Sequence, residues 1–141
     1  VTSAGVTVDG GPRRSIGPGL LVFLGVGRGD TAAQARRLAA KIALLRIFAN
    51  EEGKFVRSIL EERGQALVIS QFTLYGNTQG GRRPDFTAAA APSEAKALYE
   101  LFCALLSETG VPTQTGEFGA HMAVDLVNDG PVTLMLDTDS L

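Results

Sequence analysis

Ala66-Leu67-Val68-Ile69-Ser70-Gln71-Phe72-Thr73-Leu74-Tyr75-Gly76 is the stretch on which the fold turns. Its first four residues are continuously apolar and bounded by polar ones, the pattern of a buried strand. The run passes directly into Ser70–Gly76, so a rigid strand delivers hydroxyl, aromatic and backbone groups at its end. Upstream, Leu20-Leu21-Val22-Phe23-Leu24-Gly25-Val26 also lacks a polar face and reads as a central strand covered on both sides.

Between these strands a helix is expected to begin near Thr31, where Thr31-Ala32-Ala33-Gln34 matches a capping box. Ala35, Leu38, Ile42 and Leu45 form its buried stripe, with Gln34, Arg36, Arg37 and Lys41 facing water. Asn50-Glu51-Glu52-Gly53 is a turn. Before the first apolar strand, Val6 and Val8 alternate with polar neighbours. Asp9-Gly10-Gly11-Pro12 then predicts a hairpin returning through Arg13 to Ile16.

Downstream, Gly76 to Pro84 is glycine-rich and basic, hence an exposed loop. A second helix follows Pro92, with Leu98, Leu101, Phe102, Leu105 and Leu106 on one face and Gly110 as its stop. Met122, Val124 and Leu126 alternate as a strand. Val132, Leu134 and Leu136 resume that pattern after Gly130-Pro131. These patterns predict an α/β fold of the α+β type. Residues 1–141 would form one compact domain, a largely antiparallel or mixed sheet packed with two main helices.

The 141 residues are 45% apolar and 20% charged, the balance of a soluble globular protein. The longest apolar run before a glycine, Leu20 to Leu24, falls far short of the roughly 20 residues of a membrane span. No signal-peptide pattern opens the chain, and Cys103 is the only cysteine. A cytoplasmic protein without disulfides is the expectation. A net charge of −2 argues against non-specific coating of nucleic acid, which depends on neutralising many phosphates. A local grip on a strand end remains open. Arg13-Arg14, Arg36-Arg37 and Arg82-Arg83 could supply it, or could simply be solvated surface.

Conventional catalytic machinery is missing. His121 is the only histidine, and no G-x-S-x-G elbow accompanies it. One Cys and one His far apart make no zinc site, and no phosphate-cradling glycine motif links a strand to a helix. An already activated ester would need only positioning and donors aimed at a developing oxyanion. The backbone of Phe72 and Thr73, with the hydroxyls of Ser70 and Thr73, could serve. Ordinary strand-end capping explains the same hydroxyls.

Gly130-Pro131 lies between two strand patterns, where a residue unable to donate to a sheet ladder is out of place. Proline in such a turn raises the chance of a cis bond, and glycine leaves room for a ligand to approach the backbone. A rigid wall of this kind suits rejection by shape. A plain hairpin turn is the alternative.

The chain resembles the D-aminoacyl-tRNA deacylases over nearly its whole length. The matching blocks are Gly17-Pro18-Gly19-Leu20-Leu21, Leu45-Arg46-Ile47-Phe48, Ser70–Gly76, Arg82-Arg83-Pro84 with Phe86, Phe118-Gly119-Ala120, and Asn128–Thr133. The resemblance implies hydrolysis of D-aminoacyl-tRNA and mischarged glycyl-tRNA as translational proofreading, with no cofactor and no metal. It implies a homodimer with a cross-subunit active site, in which Gly130-Pro131 of one subunit excludes L-amino acids from the other's pocket.

It also assigns Ser70, Gln71, Phe72 and Thr73 to the catalytic pocket around the tRNA's 3′-terminal adenosine. Asn128, Thr133, Phe118, Gly119 and Ala120 would contact substrate. Thr73 takes the position of a candidate nucleophile, although the tRNA's own 2′-hydroxyl fits the missing base better. Family members ordinarily open with a short strand ending in Gln-Arg just before the position of Val1. That segment is expected to be missing here, as a truncation rather than a natural loss.

Overall fold

A computed structural model describes residues 1–141. Strand β1 (Ser3–Val8) and strand β2 (Arg13–Ile16) form the expected hairpin, with Asp9 and Gly10 both at positive φ in the turn. Strand β3 (Gly19–Leu24) follows, then helix α1 (Ala32–Leu44). Thr31 caps α1: its hydroxyl accepts from Ala33 N at 3.3 Å, and Gln34 Oε1 accepts from Thr31 N at 2.7 Å. A ribbon of β4 (Phe48–Ala49) and β5 (Phe55–Arg57) closes around the Asn50–Gly53 turn. Next come the short helix α2 (Ile59–Glu62), strand β6 (Gln65–Ser70) and helix α3 (Pro92–Glu108). Strands β7 (Thr113–Thr115) and β8 (Met122–Val127) complete the order.

The six strands outside the β4–β5 ribbon build two sheets. One is antiparallel in the order β2-β1-β8, with Val6 opposite Val124. The other is parallel in the order β3-β6-β7, with Val22 beside Val68 and Val68 beside Thr115. Parallel neighbours need crossovers, and α1 and α3 supply them.

Strand β6 is the hub because its two faces point into two cores. Ala66 and Val68 pack with Ala39, Ile42 and Ala43 of α1 and with Tyr99, Phe102 and Leu106 of α3. Leu67 and Ile69 pack with Ala4, Val6 and Ile16 of the antiparallel sheet. Helices, parallel sheet and antiparallel sheet therefore stack as three layers. Two polar ties cross between them. Tyr99 Oη donates to the Val68 carbonyl at 2.7 Å, and Arg14 donates to the Thr115 and Gly116 carbonyls at 3.0 and 3.2 Å.

Two sequence expectations need correction. Strand β3 is an edge rather than a central strand: Leu20, Leu21 and Val22 are half-buried and Phe23 is exposed. An apolar run reports what covers a strand's faces, whereas edge pairing depends on the backbone of a distant segment. Likewise, Val132, Leu134 and Leu136 form no strand after Gly130-Pro131. No neighbouring strand offers them a ladder, and Leu134 and Met135 are left exposed. Leu45, expected on the helix stripe, is the C-cap of α1. Helix α2, the β4–β5 ribbon and β7 are too short for periodicity to reveal.

Candidate active site

All three strands of the parallel sheet run the same way, so their carboxyl ends open at one edge, the usual place for a ligand crevice. Strand β6 ends at Ser70, and the Gln71 N–H reaches back to the Leu24 carbonyl of β3 at 2.8 Å. The chain then coils into a 3₁₀ turn over Phe72–Tyr75. Strand β7 leads through Gly116 to Phe118-Gly119-Ala120.

A cavity of about 660 Å³ lies where these ends meet, lined by Ser70, Gln71, Phe72, Phe118, Gly119 and Ala120. Two segments separated by more than forty positions in the sequence are thus brought to one wall. The rest of the wall includes Arg28, Phe86, Tyr99, His121 and Met122. Phe72 and Phe86 meet edge-to-face with centroids 5.3 Å apart, and Tyr99 and Phe118 lie 6.1 Å apart. Aromatic walls with a few polar groups at the base suit a flat, partly polar ligand.

Thr73 is placed differently. Its side chain is exposed, it is absent from the cavity wall, and its hydroxyl accepts from the Gln71 side-chain amide. Asn128 and Thr133 also lie elsewhere. They hydrogen-bond to each other at 3.3 Å and line a separate apolar cavity of about 530 Å³, between the outer edge of β3 and residues 132–138. Gly130 and Pro131 project between them, exposed and joined by a cis peptide bond. Within one chain, the Gly130-Pro131 corner does not reach the wall formed by Ser70–Phe72.

A model of the family described as D-Tyr-tRNA(Tyr) deacylase matches residues 1–137. A D-aminoacyl-tRNA deacylase from a Ruegeria species is 57% identical over 99% of this chain and 89% of its own length. One from Thermotoga petrophila is 51% identical over 100% of this chain and 95% of its own. The chain belongs to the D-aminoacyl-tRNA deacylase family. Among solved structures, a c-Myc DNA unwinding element binding protein superposes on this deacylase chain with a TM-score of 0.89. That protein is 38% identical, with 97% of this chain and 93% of the other covered. A probable eukaryotic D-amino acid tRNA deacylase shares the fold at a TM-score of 0.74 and 20% identity, over 92% and 90% of the two chains.

This deacylase is a hydrolase. Cys103 is buried on α3, and burial pushes its thiol up to about 11, so it stays protonated at neutral pH. Tyr99 is raised by the same cause and is committed to the Val68 carbonyl. His121 lies on the cavity wall but makes no side-chain hydrogen bond to Ser70 or Thr73, and the Thr73 hydroxyl is bonded to the Gln71 amide instead. Phe72 and Thr73 open the 3₁₀ turn, where N–H groups lack an intrahelical acceptor and can serve a ligand.

Sequence reading missed Arg28, Tyr99 and Met122 as wall residues. Tyr99 was detectable, since the buried positions 95, 99, 102, 103 and 106 of α3 follow helical spacing. Arg28 carried no local signal, because only the joining of the β3 loop to residues 88–90 brings it to the cavity.

Proposed function

We propose that this protein hydrolyses the ester of D-aminoacyl-tRNA, and of glycyl-tRNA, to free tRNA and amino acid, while sparing L-aminoacyl-tRNA. The observation that carries the reading is the meeting of Ser70–Phe72 with Phe118–Ala120 at the carboxyl end of the parallel sheet. The terminal adenosine would lie against the aromatic wall of Phe72, Phe86 and Phe118. Its ester would sit at the edge of the cavity, near the backbone N–H of Phe72 and of Thr73 just beyond the wall, which would stabilise the oxyanion. The adjacent 2′-hydroxyl of the ribose would assist, with no general base required from the protein.

Gly130-Pro131 would supply chirality from across a homodimer, entering the partner's cavity as a wall without side-chain freedom. Its exposed position away from its own chain's cavity supports that arrangement. A glycyl ester has no side chain to collide with the wall, so it would be cleaved with the D-esters. The site of action would be the cytoplasm, where charged tRNAs are proofread. No helix is long and apolar enough to cross a membrane.

The test is hydrolysis of one amino acid's D- and L-esters on the same tRNA, with glycyl-tRNA alongside. D and glycyl esters should be cleaved and the L-ester spared by about 100-fold or more, beyond what pocket contacts alone usually achieve. Equal cleavage of D and L would remove the chiral wall. Absence of any turnover would remove the enzyme.

Thr73→Ala separates the two nucleophile schemes. Activity should stay within about tenfold of the parent, because the hydroxyl faces Gln71 rather than the cavity. A fall beyond about 10³-fold with binding intact, measured as single-turnover hydrolysis, would make Thr73 the nucleophile.

A further inference from the structure

We infer that Arg28, Arg82 and Arg83 form a phosphate-gripping rim that holds the single-stranded RNA backbone leading to the esterified nucleotide. This rests on the deacylase reading and adds the surface that recognises the RNA beyond its last residue. The three arginine pairs of the sequence have different fates. Arg13 is spent on a bidentate pair with Asp125, at 3.0 and 2.7 Å, and Arg14 on the Thr115 and Gly116 carbonyls. Arg37 donates to the carbonyls of Thr138 and Leu141, and Arg36 is exposed and unpaired on the same helix, with neither on the aromatic cavity's wall. Arg82 and Arg83 are exposed and take part in no ion pair or side-chain hydrogen bond, as is Arg28.

Arg28 belongs to the cavity wall, and Arg82 and Arg83 lie on the loop whose base adjoins that wall. The Arg28 loop is fastened by Arg28 N to the Ala88 carbonyl at 3.0 Å and Ala90 N to the Val26 carbonyl at 2.9 Å. Residues 78–84 form a loop whose base is closed by Asn77 and Asp85, which exchange backbone hydrogen bonds of 2.7 and 2.8 Å. Phe86, just past that base, packs on Phe72 in the cavity wall. Arg83 precedes Phe86 by three residues, a span of at most about 11 Å. That exceeds the Debye length of about 8 Å at physiological salt, so these charges act by direct contact with phosphates rather than by long-range attraction.

The carboxylates in the same stretches form no ion pair with them. Asp30 accepts from Gly27 N at 2.8 Å and Asp85 from Thr87 N at 2.7 Å. A chain of net charge −2 has no general attraction for RNA, so a local rim of guanidinium forks is the means left for binding phosphates.

The test compares two substrates, full-length D-aminoacyl-tRNA and the same D-amino acid esterified to adenosine, which carries no phosphate. The double variant Arg82→Gln, Arg83→Gln should lose about tenfold in kcat/KM on the tRNA, through KM, and keep the parent's rate on the adenosine ester. The log–log salt dependence on tRNA should flatten by about 1.4, at roughly 0.7 for each single-strand phosphate released. Equal losses on both substrates, or an unchanged salt slope, would overturn the rim. Should the parent cleave neither ester, the deacylase reading fails instead. Binding of uncharged tRNA by fluorescence anisotropy then decides the rim: weaker binding by the double variant upholds it, and equal binding overturns it.

Discussion

Gly130→Ala should leave the protein as stable as the parent and lower D-ester hydrolysis by about 100-fold. An added Cβ at Gly130 meets nothing of its own chain nearer than Asn128 Nδ2 at 4.0 Å. Its φ is not in the left-handed region, so alanine brings no backbone strain. The substitution is therefore silent toward the chain's own fold, and any loss of turnover must come from what faces Gly130 from outside. If Gly130-Pro131 enters a partner's cavity, a methyl group there displaces the ester by about 1 Å, enough to cost about 10²-fold in rate. Thermal unfolding and kcat/KM on D-aminoacyl-tRNA, measured on the same preparation, check both halves. Unaltered turnover would take Gly130 out of the site.

Gly19→Ala should do the reverse and break the fold. Gly19 opens β3 and is buried against the first residue of β6, Gln65. A Cβ there would overlap the Gln65 carbonyl oxygen and lie 2.7 Å from the Gln65 nitrogen. Both are backbone atoms, which cannot rotate aside as a flexible side chain does. Relief requires β3 to part from β6, the strand both cores depend on. Overpacking of this kind costs about 3 kcal/mol or more, a fall of roughly 10 °C in Tm for a chain of this length. Calorimetry of the purified variant measures it directly. A Tm within about 2 °C of the parent would show that the strand start adjusts without loss.

The pair shows why two glycines in motif blocks of the same sequence do different work. Gly17-Pro18-Gly19 carries the parallel pairing that builds the crevice. Gly130-Pro131 is free of that duty and open to a ligand or a partner. Spacing along the chain could not tell these apart, because the distinction is what lies opposite each Cα, and that is a segment far away in sequence.

Local order was legible in the residues. The β1–β2 hairpin, the Thr31 capping box, the buried stripes of α1 and α3, and strands β6 and β8 depend on turn chemistry and periodicity within a few residues. The family was legible from motif blocks in order. The tertiary structure alone decided that β3 is an edge, that residues 132–136 stay outside any sheet, and that Arg28 joins Phe86 at the cavity. It alone set Ser70–Phe72 beside Phe118–Ala120 while leaving Gly130-Pro131 outside that cavity. Hydrophobic period and capping act over one or two turns of chain, so sequence encodes them directly. Edge pairing and cavity walls arise where three parallel strands end together, and that meeting is a property of the packed core.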